Sequence, residues 1–494
     1  MKELVYKKSF ENKKVLHNVF VPTNKEWIST ENDDLSIIES GKNGVLFNKI
    51  IADIHNAQVM ICLQSFLIQD TKIIDALLKA KQERGVKIFV MGCAEAKLEA
   101  NPYGEEDSFI TKGYKTMLEE KFKNNFVHRQ AGNLHAKFIL IDPKTNPKGY
   151  LFTGNFNLKP FYENPELAIQ LSMAKTKELF QVFVHHFWNH TTDEQTQSSH
   201  FDKVKPINKF ETVVLKQILL TSPNKDLCNL KTTLLEVILK AEKEIQVSTF
   251  GLDINHELSQ GILDKLKEGV KVTVFCRPRL KTINGHIEIL AKHGAKVFCH
   301  PLIHAKSIVV DNTEAYVFSA NFEEYGMDTG FEVGLKLIMK QRNDLLKIYD
   351  NWKNTFPYEY FNERKLTEID SYQVLDRESR LKSIIKIEEE RFVAKKQHAK
   401  TLNELLAFFS INEPKDSLLK IEHVEVVAKL DTLEKYTKVK VISKVAELVE
   451  IQIGRSKKNK TEKVLLFDVK EEDRIISLLP DLAKDYKNFK IYAK

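Results

Sequence analysis

The sequence predicts an α/β protein made of two copies of one unit, followed by a small α+β domain. Three observations carry that expectation. The phrase HAKFILID, from His135 to Asp142, returns as HAKSIVVD, from His304 to Asp311. Each copy ends a similar succession of amphipathic and apolar runs. The helix-to-strand junction RGVKIFV at Gly85 is matched by EGVKVTV at Gly269.

Residues 1–43 are polar and mixed, an N-terminal extension. Leu46, Ile50, Ile51 and Ile54 recur at helical spacing and predict a helix over 44–55. QVMICLQSF predicts a strand over 58–66, and TKIIDALLKAKQERG a helix closed by Gly85. VKIFVMG reads as a buried strand, 93–108 as a polar loop, TMLEEKF as helix, and 134–141 as the strand carrying the first phrase. The second copy follows the same grammar. LLEVILKAEK, HELSQGILDKLKEG and HIEILAKHG predict helices; EIQVSTFG, VKVTVFCRP, AKVFCH and a run from Ile303 predict strands. These strands are apolar enough for sheet interiors, so the expected fold is two α/β/α units packed pseudo-symmetrically over 44–200 and 210–350. TTDEQTQSSHFDKVKP between them reads as a polar linker. Residues 351–416 form a connecting region with the aromatic-rich NWKNTFPYEYFNERK and a charged helix over 376–407. HVEVVAK, TKVKVISKVAELVEIQI and EKVLLFDV alternate as strands, EEDRIISLLPDLAKDY reads as helix and FKIYA as a strand, giving an accessory α+β domain over 417–494.

The 494 residues exceed one hydrophobic core. The charged start, MKELVYKKSFENKK, has no signal-like apolar run, and no stretch approaches the roughly 18 apolar residues of a membrane span, so the expected address is the cytoplasm. Five scattered cysteines form no CxxC or zinc spacing. His185, His186 and His190 in VFVHHFWNH lack an HExxH context and read as packing or surface residues rather than metal ligands. No metal or cofactor is expected. The net charge of +7 suits an anionic partner, with lysine-rich runs RFVAKKQHAK and GRSKKNKTEK in the C-terminal third.

On an extended chain, residues i and i+2 face one side, so His135 points with Lys137 and His304 with Lys306. Imidazole attacks or moves a proton near neutral pH, and an ammonium neutralises nonbridging phosphoryl oxygens. In-line displacement at a phosphodiester uses two histidines on opposite sides of phosphorus, one attacking and one protonating the leaving oxygen; the duplication supplies both. Asn157 and Asn321 are candidate amide donors to the same oxygens. The loops SFLIQD and TFGLD, and Arg277 and Arg279 in FCRPRLK, are candidates for the rim of the cleft.

Both phrases resemble the HxKxxxxD motif of the phospholipase D superfamily, with His135, Lys137 and Asp142 matching one copy and His304, Lys306 and Asp311 the other. The resemblance covers most of residues 44–350. It implies one shared site, metal-independent two-step chemistry through a phosphohistidine, aspartates that support local structure or histidine placement, and acids, Glu166 and Glu332, that hold the partner histidine. The superfamily's Gly-Ser-x-Asn segment reads here as Gly154-Asn155-Phe156-Asn157 and Phe318-Ser319-Ala320-Asn321, which leaves Asn155 and Ser319 as further phosphate-binding or supporting candidates. YLFTGNFNLKPFYENPEL also resembles a stretch of polyphosphate kinases, although that branch usually lacks the aspartates kept at Asp142 and Asp311.

The basic chain and separate accessory domain point to a nuclease acting on DNA or RNA. A phospholipase or cardiolipin-synthase-like phosphatidyltransferase, with anionic phospholipid as partner, is the alternative. A non-catalytic nucleic-acid-binding or interaction scaffold is a third. The C-terminal domain is a candidate surface for nucleic acid or a protein partner.

Overall fold

The computed structural model describes residues 15–31, 36–93, 118–157, 161–197, 200–205, 207, 213–222, 227–278 and 285–365, residues 368–369 and, further on, the backbone of several strands. The chain divides into two compact units, one holding Val15–Arg364 and the other the strands after Lys386.

The first half of the larger unit is built from α1 (Val45–Asn56), β3 (Met60–Gln64), α2 (Thr71–Arg84), β4 (Lys87–Cys93), β5 (Val127–Ala131), β6 (Phe138–Ile141), β7 (Lys148–Phe152), β8 (Leu167–Gln170) and α3 (Met173–Asn189). Two earlier strands, β1 (Val15–Pro22) and β2 (Ile37–Glu39), come from the extension. The polar segment after α3 is not a free linker: β9 (Asp193–Gln197) and β10 (His200–Lys203) form a hairpin that extends the sheet beside β5. Its polar sequence suits an edge strand, and Glu194 is anchored there by Arg129. The second half holds β11 (Ile218–Thr221), α4 (Leu230–Leu239), β12 (Glu244–Thr249), α5 (Glu257–Lys267), β13 (Lys271–Cys276), α6 (Gly285–Lys292), β14 (Lys296–Cys299), β15 (Ser307–Val310), β16 (Glu314–Phe318), β17 (Glu332–Lys336), α7 (Met339–Thr355) and β18 (Tyr358–Lys365). The aromatic-rich stretch after Asp350 is the end of α7 followed by an added strand.

Each half forms a nine-stranded sheet: β10-β9-β5-β4-β3-β6-β7-β8-β2 and β1-β18-β14-β13-β12-β15-β16-β17-β11. In both, three parallel strands adjoin an antiparallel series. Local signals set the element ends. Asp70 accepts from Ile73 N at the start of α2, and Gly85, at φ 69°, closes it. A central apolar core joins the halves: Phe138, Phe183 and Phe187 from the first pack in one cluster with Phe275, Tyr349 and Trp352 from the second. Two outer cores lie between the sheets and the remaining helices. Polar clamps cross the join. Glu178 of α3 accepts backbone N–H from Lys216, Gln217 and Ile218 at β11, while Asp344 of α7 accepts Ser36 N before β2. Trp27 and Trp352 both donate to buried Glu39. Among the described residues no helix is long and apolar enough to cross a membrane.

In the smaller unit Tyr436–Val445, Leu448–Arg455 and Thr461–Phe467 run antiparallel, and Phe489–Ala493 adds parallel to the third. The expected helix over 471–486, most of the loop at 93–108 and nearly all of the charged helix over 376–407 lie outside the described residues; TMLEEKF contributes a π-helical turn at Leu118–Phe122.

Asp142 and Asp311, which the motif groups with the catalytic residues, sit at the far ends of β6 and β15, about 23 Å along an extended chain from their histidines. Asp142 accepts from Gln58 N, Val59 N and Met60 N at 2.7–2.9 Å, and Asp311 from Glu242 N, Lys243 N and Glu244 N at 2.7–2.8 Å. Both take φ near +50° (47° and 51°), a conformation aspartate tolerates better than most residues. Each carboxylate therefore latches the start of the neighbouring antiparallel strand, β3 or β12. Asp311→Ala removes three charge-assisted bonds and should lower stability by about 2–4 kcal/mol, read as a fall in the thermal midpoint; a wild-type midpoint would refute the latch.

Candidate active site

The two HxK phrases precede their strands rather than lie within them, because their backbones bond across the join instead of along the sheet. His135 N and Ala136 N donate to Phe331 O at 3.2 and 2.8 Å, and Phe331 N donates back to Asn133 O at 2.7 Å. His304 N and Ala305 N donate to Pro165 O, both at 3.2 Å. Phe331 and Pro165 immediately precede Glu332 and Glu166, so each phrase is stitched beside the acid of the other half. The side chains then cross: His135 Nδ1 lies 2.5 Å from Glu332 Oε1, and His304 Nδ1 lies 2.9 Å from Glu166 Oε1. Ionised Glu332 at Nδ1 places the ring proton of His135 there and leaves its Nε2 lone pair for chemistry, whereas a protonated Glu166 donates to Nδ1 of His304 and leaves the ring proton at Nε2.

A hydroxyl holds each acid. Thr153 Oγ1 donates to Glu166 Oε2 at 2.6 Å and receives Leu167 N. Ser319 Oγ donates to Glu332 Oε2 and receives Val333 N. Ser40, just past β2, receives Glu166 N and donates to Asn164 O. Lys137 Nζ is 2.9 Å from both ring nitrogens of His135, and Lys306 Nζ stands likewise to His304. Lys306 also reaches Thr153 O, in the other half. Phe66 and Tyr325 pack edge-on against His135, Phe250 against His304, and the Arg277 guanidinium lies over Phe250 at 5.0 Å.

Both lysines and both acids are fully buried. Burial holds His135 down to about 4 against the pull of Glu332, and lowers His304 well below its usual value with help from Lys306, Lys137 and Arg277. Burial likewise brings Lys137 down to about 8 and Lys306 well below the usual lysine range. The acids differ. Burial pushes Glu166 up to about 7, whereas at Glu332 burial is outweighed by His135, Lys137 and Ser319, which keep it below its ordinary value. The site thus brings together two imidazoles whose charge burial suppresses and two lysines that an anion would recharge, an arrangement that fits a phosphodiester.

The hydrogen bonds also correct the register of the Gly-Ser-x-Asn segments. Phe152 N donates to Lys137 O as Phe318 N does to Lys306 O, and Phe156 and Phe322 make matching bridges to Ile68 and Leu252. Thr153 therefore corresponds to Ser319, and Asn155, not Asn157, to Asn321. The serine's place in the first copy is filled by threonine. Ser319 supports an acid rather than phosphate, and Asn157 Oδ1 receives Gln69 N at 3.2 Å in a loop. Asn155 Oδ1 and Asn321 Oδ1 are buried without a hydrogen-bond partner among the described residues. Thr153 and Ser40 were missed: aligning the copies from Phe152 and Phe318 would have revealed the first, and nothing local marks the second. Arg277 lies beside the site through Phe250, while Arg279 falls outside the described residues. His186 is buried, stacks on Phe331 and bonds to Val182 O, so it packs behind the site. His256, Glu257 and Asp328 cluster closely, but Lys231 already pairs with both acids.

Two α/β halves that share a doubled His-Lys site with crossed acids define a phosphodiesterase of the phospholipase D type. The family described as "Cardiolipin synthase, PLD-like domain" matches residues 50–190 and 234–356, more than half of the chain, and the protein belongs to it. The chain is 24% identical over 399 residues to the major cardiolipin synthase ClsA of Bacillus subtilis (strain 168), covering 72% of this chain and 77% of that one. Among solved structures it is similar to phosphatidylserine synthase of Haemophilus influenzae Rd KW20, at 14% identity and a TM-score of 0.47, covering 71% of this chain and 91% of that one. The phospholipase D family member Nuc of Salmonella typhimurium matches at 17% identity and a TM-score of 0.26, covering 29% of this chain and 95% of that one.

Because Thr153 does in one half what Ser319 does in the other, Ser319→Ala should slow turnover by about tenfold, and Ser319→Thr should restore it. Steady-state kinetics on the two variants checks this; equal loss in both would refute the role of the hydroxyl.

Proposed function

We propose that this chain transfers or hydrolyses the phosphatidyl group of a phospholipid through a histidine-bound intermediate. The observation that supports a lipid rather than a nucleic acid is the alignment, running across most of both proteins, with a relative named as a cardiolipin synthase. The sequence-based expectation of a nuclease rested on the basic chain and the separate accessory domain, and basic charge suits any phosphodiester. In the proposed reaction His135 Nε2 attacks phosphorus, and the bond to the leaving oxygen breaks as His304 delivers a proton to it. The acceptor, an alcohol or water, then gives its proton to His304 and displaces His135. Lys137, Lys306 and the amide groups of Asn155 and Asn321 stabilise the equatorial oxygens.

The assignment of roles follows the acids. Glu332, held ionised, supports the imidazolium character that grows on an attacking His135. Glu166, pushed up to about 7, retains a proton to share with His304 at neutral pH. The sign is direct: below about pH 7 the His304–Glu166 pair holds the proton that the leaving oxygen needs, and above it that proton is lost. For a substrate with an alkyl leaving group, kcat/KM should fall as pH rises through about 7; for an aryl ester, whose leaving group needs no acid, that limb should be absent. An identical alkaline limb for both would overturn the assignment.

Parallel assays in excess EDTA on phosphatidylglycerol vesicles, single-stranded DNA, duplex DNA and RNA test the substrate. Phospholipid turnover that His135→Ala or His304→Ala abolishes is the expected result. Cleavage of nucleic acid alone would replace the lipid reading by the nuclease one.

A further inference from the structure

The two halves repeat each other closely enough that their differences stand out. Ser65 Oγ donates to Leu67 O as Thr249 Oγ1 donates to Gly251 O, so Leu67 corresponds to Gly251 and Phe66 to Phe250. By the register above, Asn157 corresponds to Glu323. In the first half Leu67 is buried, and the Asn157 amide is turned to the Gln69 backbone. In the second half position 251 has no side chain, and the Glu323 carboxylate takes the space: a Cβ on Gly251 would stand 3.0 Å from Oε2 and 3.1 Å from Oε1. A buried leucine and a neutral amide on the His135 side are thus replaced by a bare backbone and an acid on the His304 side.

Glu323 is half-buried and receives Asn321 Nδ2 at 3.0 Å on Oε1; among the described residues no hydrogen bond reaches Oε2. Burial pushes its carboxyl above the ordinary value, against the Asn321 bond, and Glu332 adds to the push. An acid in a cavity built for an anion does not bind phosphate oxygens. It needs a donor, either a hydroxyl or an ammonium. Lys306 and Arg277 beside His304 repel an ammonium, which leaves the hydroxyl. Phe250, which abuts both Gly251 and His304, places that hydroxyl close to the imidazole that deprotonates the acceptor.

We propose that Glu323 is a specificity-determining residue that selects a polyol as acceptor, taking a hydrogen bond from a second hydroxyl while the first attacks phosphorus under His304. This rests on the reading of His304 as the acid/base and of the site as a transferase. The reaction balances as an exchange of one alkoxy group for another: the acceptor O–P bond forms, the His135–P bond breaks and His304 takes the acceptor proton.

The test uses the full chain and bis(4-nitrophenyl) phosphate, a diester that does not require the lipid reading to hold. Glycerol and ethanol compete in one reaction, and their phosphate esters are quantified. Glu323→Gln and Glu323→Asn, the latter copying the first half, should lower the glycerol-to-ethanol product ratio about tenfold, whatever the total rate. A fold defect lowers both products together but does not move their ratio, which the folded fraction sets. A wild-type ratio in both variants, or no preference for glycerol in the wild type, overturns the inference. Failure of the lipid reading appears separately, as absence of phospholipid turnover.

Discussion

The structure depends on one crossed constraint: each half provides the histidine that the other half's acid orients. The backbone bonds from His135 and Ala136 to Phe331, and from His304 and Ala305 to Pro165, bring this about by stitching each phrase beside the partner's glutamate. Neither half contains a complete histidine-acid pair, so the catalytic arrangement exists only when the central core is formed. That explains why the join is clamped so heavily, by an aromatic core, by Glu39 between two indoles and by the helix acids Glu178 and Asp344. The energy of the join is largely apolar burial, while its alignment comes from a few buried polar bonds whose loss would leave desolvated groups unpaired.

Placing two lysines, two imidazoles and two acids in one desolvated cavity costs stability unless their charges balance. The balance is unequal between the halves. Ser319 and His135 keep Glu332 ionised, whereas Glu166 titrates near neutrality, at about 7. Nearly identical phrases thereby acquire different protonation chemistry. The same division recurs in the pocket walls, where Leu67 and Asn157 give way to Gly251 and Glu323. Pseudo-symmetry supplies two histidines, and departures from it give them unlike surroundings.

Much of this was legible in the residues. Apolar runs such as FILI and SIVV, buried on both faces, announced the sheets, and Gly85 and Gly269 marked helix ends because each takes a positive φ. His135, Lys137, His304, Lys306 and both glutamates were legible because the phrase occurs twice. What escaped depends on tertiary partners. Polar segments such as TTDEQTQ become edge strands only when a sheet offers them a ladder. Asp142 and Asp311 share the motif with the histidines, yet their far ends of the strands are revealed only by the amides they hold. A turn three residues longer between β6 and β7 than between β15 and β16 hid the correspondence of Thr153 with Ser319.

The shared site is tested most directly by trapping the proposed covalent intermediate. His304→Ala, incubated with bis(4-nitrophenyl) phosphate, should release one equivalent of nitrophenol and retain one phosphoryl adduct per chain, located on His135 by mass spectrometry after alkaline quench. An adduct on another residue, or two adducts per chain, would contradict a single site formed by the two halves.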